Sequence, residues 1–160
     1  MKKIFYVIVV VGIALLIKVG CNNTDSLFTN VNFNNVHNKV KSSLSSYYSK
    51  NGIYLYQDGT DEMYLFLNAY NVIQGEKATY YTDIGIEVID KTIVINFSEK
   101  RLDDYQNKEI ENNRLLYKIK KPKNVNSISI QKNGQEVPFN SIIAGKYQVF
   151  CDNSFLINYK

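Results

Sequence analysis

Side chains able to do covalent or acid-base chemistry are few in this chain. One histidine, His37, is the whole supply of the commonest general base and metal ligand, and the only two cysteines, Cys21 and Cys151, stand near opposite ends. The sequence contains no G-x-S-x-G elbow, no H-E-x-x-H, no phosphate-cradling G-x-x-x-x-G-K, no G-x-G-x-x-G and no cysteine pair at metal-ligand spacing. No catalytic residue, metal or cofactor is therefore assigned. Carboxylates are plentiful, with Asp58, Asp61, Glu62, Asp103 and Asp104 in turn-like or polar stretches. A glycosidase needs only two such groups facing each other across a cleft, so a small hydrolase with an unrecognised acid pair is the catalytic alternative. Turns and loops are also where solvated acids ordinarily occur, and the residues are equally explained that way.

Tyrosine is the unusual component: the chain has 13 and no tryptophan. A tyrosine joins a large apolar surface to a polar tip with few rotors, which suits a sheet core and a recognition surface alike. Tyr70, Tyr80 and Tyr81 flank the stretch 71–79, and Tyr105 lies in a charged segment; these four are the candidate binding residues. Tyr54, Tyr56 and Tyr64 fall in apolar runs where both alternation faces are large, which points to packing.

These side chains must be positioned by elements that the apolar periodicity marks out. Val36, Val40, Leu44, Tyr47 and Tyr48 recur on one helical face, with Asn34 or Asn35 as N-cap and Asn51-Gly52 as the stop, predicting a helix over 36–50. Its other face carries His37, Lys39, Lys41, Ser42 and Ser45, suited to solvent or to a membrane surface. After Gly52 the period becomes two. Strands are expected at Ile53–Tyr56, Met63–Leu67, Ile84–Val88, Thr92–Phe97, Leu115–Ile119, Ser127–Gln131, Val137–Phe139, Tyr147–Cys151 and Phe155–Tyr159. Asp58-Gly59, Asp90-Lys91 and above all Asn133-Gly134 supply the turns between them. The expected fold is mainly β: an antiparallel β-sandwich or open barrel with one N-terminal amphipathic helix. Segment 98–113, SEKRLDDYQNKEIENN, carries both charges around Leu102, Tyr105 and Ile110, and reads as a short helix on a sheet edge or a long loop. Alternation sets Cys151 beside Tyr147 and Val149 on one strand face, as a small buried hydrophobe.

The first residues give an address. Lys2 and Lys3 precede an apolar stretch from Ile4 to Ile17, and Lys18-Val19-Gly20-Cys21 closes it. Fourteen apolar residues are fewer than the roughly 20 that a membrane span needs. The layout resembles a bacterial lipoprotein precursor, with Lys18 standing where that pattern favours an apolar residue. The resemblance implies a signal peptide over 1–20, removed to leave a lipid, palmitate included, on Cys21, and a protein anchored to the extracytoplasmic face of the cell membrane. An uncleaved signal anchor is the alternative that Lys18 suggests. Residues 21–35, rich in Asn, Thr and Ser, read as a tether, and 36–160 as a single β-rich domain. Without the three lysines of the leader the chain keeps 16 basic against 15 acidic residues, a balance that gives nucleic acid nothing to bind. The expected function is a non-catalytic binding or accessory module at the cell envelope, its partner an envelope protein or a cell-wall glycan.

A second resemblance lies within the domain. Gly75-Glu76-Lys77-Ala78-Thr79-Tyr80-Tyr81, following Leu65-Phe66-Leu67, is similar to the G-x-x-x-T-G-G-Y loop of small bacterial β-sandwich domains: those in the non-catalytic subunit of a surface protease complex, and chagasin-like protease inhibitors. The likeness runs from Tyr64 to Phe97 and keeps Gly75, Thr79 and a later Tyr, with Tyr80 and Tyr81 in the region of the glycine pair. It implies a protease-inhibitor-like or protease-accessory domain that meets its partner through this loop.

Overall fold

The computed structural model describes residues 27–149 apart from 58, 60 and 146, and only the backbone of 147–149. The signal at 1–20, Cys21, Asp58, Cys151 and the strand expected at Phe155–Tyr159 lie outside the described residues. Among the described residues the fold has ten strands and one α-helix: β1 (Phe28–Asn30), α1 (Asn38–Ser45), β2 (Gly52–Gln57), β3 (Glu62–Asn68), β4 (Ala78–Ile89), β5 (Thr92–Leu102), β6 (Arg114–Lys120), β7 (Ser127–Lys132), β8 (Gln135–Glu136), β9 (Ser141–Ala144) and β10 (Tyr147–Val149). Two short 3₁₀ turns, Phe33–Asn35 and Lys108–Asn113, complete it.

The strands form a six-stranded sheet ordered β1-β6-β3-β2-β9-β10 and a four-stranded sheet ordered β4-β5-β7-β8. Both are mixed. Hairpins and neighbours are antiparallel as the turn chemistry predicts, but β2 pairs with β9 and β5 with β7 in parallel. Those parallel pairs arise because the chain passes from one sheet to the other between partners, so that β6 intervenes before β7 and the β7-β8 hairpin before β9. Tight turns cannot announce such pairings, which need long crossovers.

Between the sheets lies an aliphatic core: Ile53, Leu55, Leu65, Leu67 and Ile119 from the larger sheet meet Ile93, Ile95, Phe97 and Ile130 from the smaller. The opposite face of the larger sheet is covered by α1. There Val36, Val40, Leu44 and Tyr47 pack against Tyr54, Tyr56, Tyr64, Phe66 and Leu116. The helix therefore spends its apolar face on the sheet and leaves Lys39 and Ser42 outside. Because the larger sheet is buried on both faces, β2 and β3 read as unbroken apolar runs instead of alternating with polar residues.

Several boundaries depart from the sequence reading. Residues 28–35, expected in the tether, belong to the fold: Phe28 pairs with Ile119 in the ladder and stacks on Tyr117 at 4.3 Å. The helix is shorter than 36–50, starting after His37, whose side chain makes no cap; Asn32 instead caps the preceding 3₁₀ turn. Segment 98–113 is neither one helix nor one loop, since Ser98–Leu102 completes β5 before the 3₁₀ turn. Val137–Phe139 leaves the ladder at Pro138, which has no N–H to donate. Asn133-Gly134 forms the two-residue turn as expected, with φ of 52° and 79°, and Asp90-Lys91 does the same at 46° and 68° without a glycine.

Candidate functional site

β6 runs from Arg114 at one end of the larger sheet to Lys120 at the other, where the amide of Lys120 bonds to the Leu27 carbonyl. Asn68, the last residue of β3, pairs with Arg114 in the ladder. At this Arg114 end the two stretches singled out for their tyrosines come together: the loop after β3 and the segment after β5. The Tyr105 hydroxyl donates to the Glu76 carbonyl, and Lys77 pairs with Asp103 at 2.9 Å. The convergence follows from topology, because β4 begins beside the end of β5, with Ala78 opposite Leu102.

Of the four candidate tyrosines, two are on the surface and two are not. Tyr70 and Tyr105 are 56% and 53% exposed, and Ile73 on the same loop is 68% exposed. Tyr80 and Tyr81 are only 5% and 4% exposed, because both belong to β4. Tyr81 enters the aliphatic core edge-on to Phe97 at 5.5 Å, and burial pushes its hydroxyl pKa far up. Burial also raises Tyr80, with a further push from the Glu109 carboxylate that accepts its hydrogen bond. Neither ring is available as a surface anchor. Thr79 likewise sits in strand β4, so the stretch likened to a partner-contacting loop is here mostly strand, with Gly75 alone in a left-handed turn at φ 88°.

The residue that sequence reasoning passed over is Arg114. Its guanidinium carbon stands 4.0 Å from the ring centroid of Tyr48 and 4.0 Å from that of Tyr70, so both of its faces are covered by aromatic rings. In its plane, Nε donates to Asn68 Oδ1 at 3.2 Å and Nη2 to the Tyr48 carbonyl at 3.0 Å. Asn68, fully buried, points its amide nitrogen at the carbonyls of Tyr47, Tyr48 and Lys50 at 2.9–3.1 Å and accepts from the Tyr70 amide. Together they satisfy the carbonyls left open after α1, a task that a cation at a helix C-terminus performs well. No carboxylate pairs with Arg114 among the described residues, although Lys77, Lys118 and Lys132 each have one. The sequence held one available signal, an arginine opening a strand directly after a polar segment; its ring partners, 44 and 66 residues upstream, were not legible.

Beside Arg114 opens a cleft of about 290 Å³. Its apolar floor is Phe33, Tyr48 and Phe66, with Phe33 edge-on to Tyr48 at 4.6 Å and Tyr48 stacked on Phe66 at 5.7 Å. Asn30, Asn32 and Asn34 form the rim. Asn32 Oδ1 accepts from the Asn34 amide and Lys41 Nζ donates to the Asn34 carbonyl, which fixes the rim to α1. The described acids of the hydrolase alternative stand at two opposite ends. Asp61 and Glu62 stand at the Lys120 end, where Glu62 pairs with Lys118, while Asp103 and Asp104 stand at the Arg114 end, engaged with Lys77 and the Gln106 amide.

No family model, curated protein or solved structure matches the chain. What the fold and site define is a class by geometry: a mainly β, helix-covered two-sheet domain bearing an aromatic surface centred on a cation.

Proposed function

We propose that the chain is a lipid-anchored protein of the extracytoplasmic membrane face whose folded domain is a non-catalytic binding module, meeting an envelope protein or cell-wall glycan with its Arg114 end. The observation that carries this reading is exposed Tyr70 against the Arg114 guanidinium, with exposed Ile73 on the same loop and exposed Tyr105 tied to that loop at the Glu76 carbonyl. Exposed aromatic and aliphatic side chains on loops held by a rigid sheet are the usual material of recognition, and none of them needs a nucleophile or base. The placement of the chain's start agrees with it. Leu27 enters beside Lys120, seven residues of strand from Arg114 or about 20 Å. Six Cα-to-Cα steps from Cys21 to Leu27 reach at most about 22 Å, so a lipid on Cys21 would keep the Lys120 end nearer the bilayer than the Arg114 end.

Two measurements test the two halves. Metabolic labelling with a lipid precursor should mark the chain and fail in Cys21→Ala; equal labelling of the variant removes the anchor. Capture from an envelope extract should fall about thirtyfold in affinity for Tyr70→Ala, the loss of roughly 2 kcal/mol that an aromatic anchor supplies. Turnover of a peptide or glycan that one substitution such as Asp103→Asn abolishes would instead establish the hydrolase.

A further inference from the structure

We infer that the cleft beside Arg114 is a binding site for a carboxylate carried on an apolar or aromatic group, which specifies the chemistry of the ligand on the binding-module reading above. A guanidinium has five N–H donors in one plane. Two of Arg114's are used, both on neutral carbonyl oxygens, which leaves three donors and a full positive charge without an anion among the described residues. Arginines withdrawn from solvent ordinarily meet a carboxylate or phosphate, because charge-assisted, in-plane hydrogen bonds offset the loss of hydration. Here the Tyr48 and Tyr70 rings each stand 4.0 Å from the guanidinium carbon, and the remaining N–H groups point outward in the guanidinium plane, where an acceptor reaches them. Arg114 forms part of the cleft wall, and the cleft's floor is three aromatic rings.

The two halves of the site select the ligand. Phe33 and Tyr48, both half-buried, offer ring surface to the cleft over fully buried Phe66, so the group beside the carboxylate is apolar or flat. Phosphate and sulfate lack that group and would leave the floor wet. The amides of the rim supply neutral donors and acceptors that tolerate a carboxylate without repelling it, and Lys41, which reaches the rim, is engaged with the Asn34 carbonyl. A peptide ending in an apolar residue with a free carboxylate satisfies both halves.

Titration of the full-length chain in zwitterionic micelles with phenylacetate, followed by the NMR signals of the Arg114 Nε–H and the Asn34 and Tyr48 amides, tests the inference. We expect saturable shifts at all three, at least tenfold weaker binding of phenylacetamide, and at least tenfold weaker binding of phenylacetate by Arg114→Gln. Equal binding of acid and amide, shifts confined to the loop around Ile73, or no shift at all would overturn it, and saturation by glucuronate in place of phenylacetate would overturn its apolar half. Should Arg114→Gln fail to fold, the acid-to-amide comparison on the native chain decides alone. A cleft indifferent to phenylacetate in a protein whose Tyr70→Ala variant still loses its envelope partner refutes this site and leaves the binding-module reading intact.

Discussion

The two faces of the six-stranded sheet solve the same burial problem with different side chains. Toward the smaller sheet, β2 and β3 present Ile53, Leu55, Met63, Leu65 and Leu67; toward α1 the same strands present Tyr54, Tyr56, Tyr64 and Phe66. Two sheets packed face to face are filled mostly by aliphatic side chains, with Tyr81, Phe97 and Phe139 among them. A single helix of eight residues covers a sheet only in part, and large rings fill the remainder while their hydroxyls reach backbone that the helix leaves open. Tyr54 donates toward the carbonyls of Lys50 and Asn51, and Tyr47 meets Ser141 Oγ at 3.3 Å. The difference teaches where function can arise. The aliphatic interface is closed, whereas the aromatic one opens at its edge into the Arg114 cleft.

The contrast can be broken most severely on the aliphatic side. Leu65 is fully buried between the sheets, and Leu65→Ala should cost about 3–4 kcal/mol in urea unfolding through lost transfer energy and a residual cavity. Next in size is Asn68→Ala, which takes one of two donors from each of three carbonyls and the acceptor from Arg114 Nε and the Tyr70 amide; a loss of about 2–3 kcal/mol is expected, together with weakened protection of the Tyr70 amide in hydrogen exchange. A cost for Asn68→Ala below that of a surface substitution would dissolve its role as the link between α1 and the site.

Alkali should find the tyrosines. Burial raises the hydroxyl pKa of Tyr81, Tyr54 and Tyr117 above the ordinary 10.0. Unfolded chains release these protons near pH 10 while the native chain retains them, so stability is fully present below that pH and declines as pH rises past it. Denaturant midpoints measured from pH 8 to 12 should fall only above about 10. A flat profile would place these hydroxyls in water.

The smallest effect has the opposite sign. Tyr56 is fully buried and its hydroxyl has no hydrogen-bond partner among the described residues, so Tyr56→Phe should leave stability unchanged or raise it by about 1 kcal/mol. A marked loss in calorimetry would reveal a bond to that hydroxyl.

Much of this architecture was legible because local chemistry and packing agree. The helical face from Val36 to Tyr47, the two-residue turn at Asn133-Gly134 and the apolar strands Ile53–Tyr56 and Met63–Leu67 stand where periodicity sets them. Strands β1 and β9 escaped notice because three or four residues cannot display a period, and their pairing energy comes from neighbours far along the chain. The stretch from Ala78 to Tyr81 reads as loop because Thr79, Tyr80 and Tyr81 follow Gly75 as turn-flanking residues; pairing with β5 and burial of both consecutive rings make it strand. The site was only half legible. Tyr70 and Tyr105 carried an aromatic signal that survives in their exposure, whereas the stacking of Arg114 between rings from two other elements is a tertiary fact with no local trace.

The central claim, that recognition takes place at the Arg114 end, is tested most directly by photo-crosslinking in the native envelope. A photoreactive phenylalanine placed at Tyr70 is compared with one at Ile89, which is 48% exposed on the hairpin at the opposite end. A discrete adduct from position 70 and none from position 89 is the predicted result. Adducts from position 89 alone would contradict the account and move the binding surface to the other end of the domain.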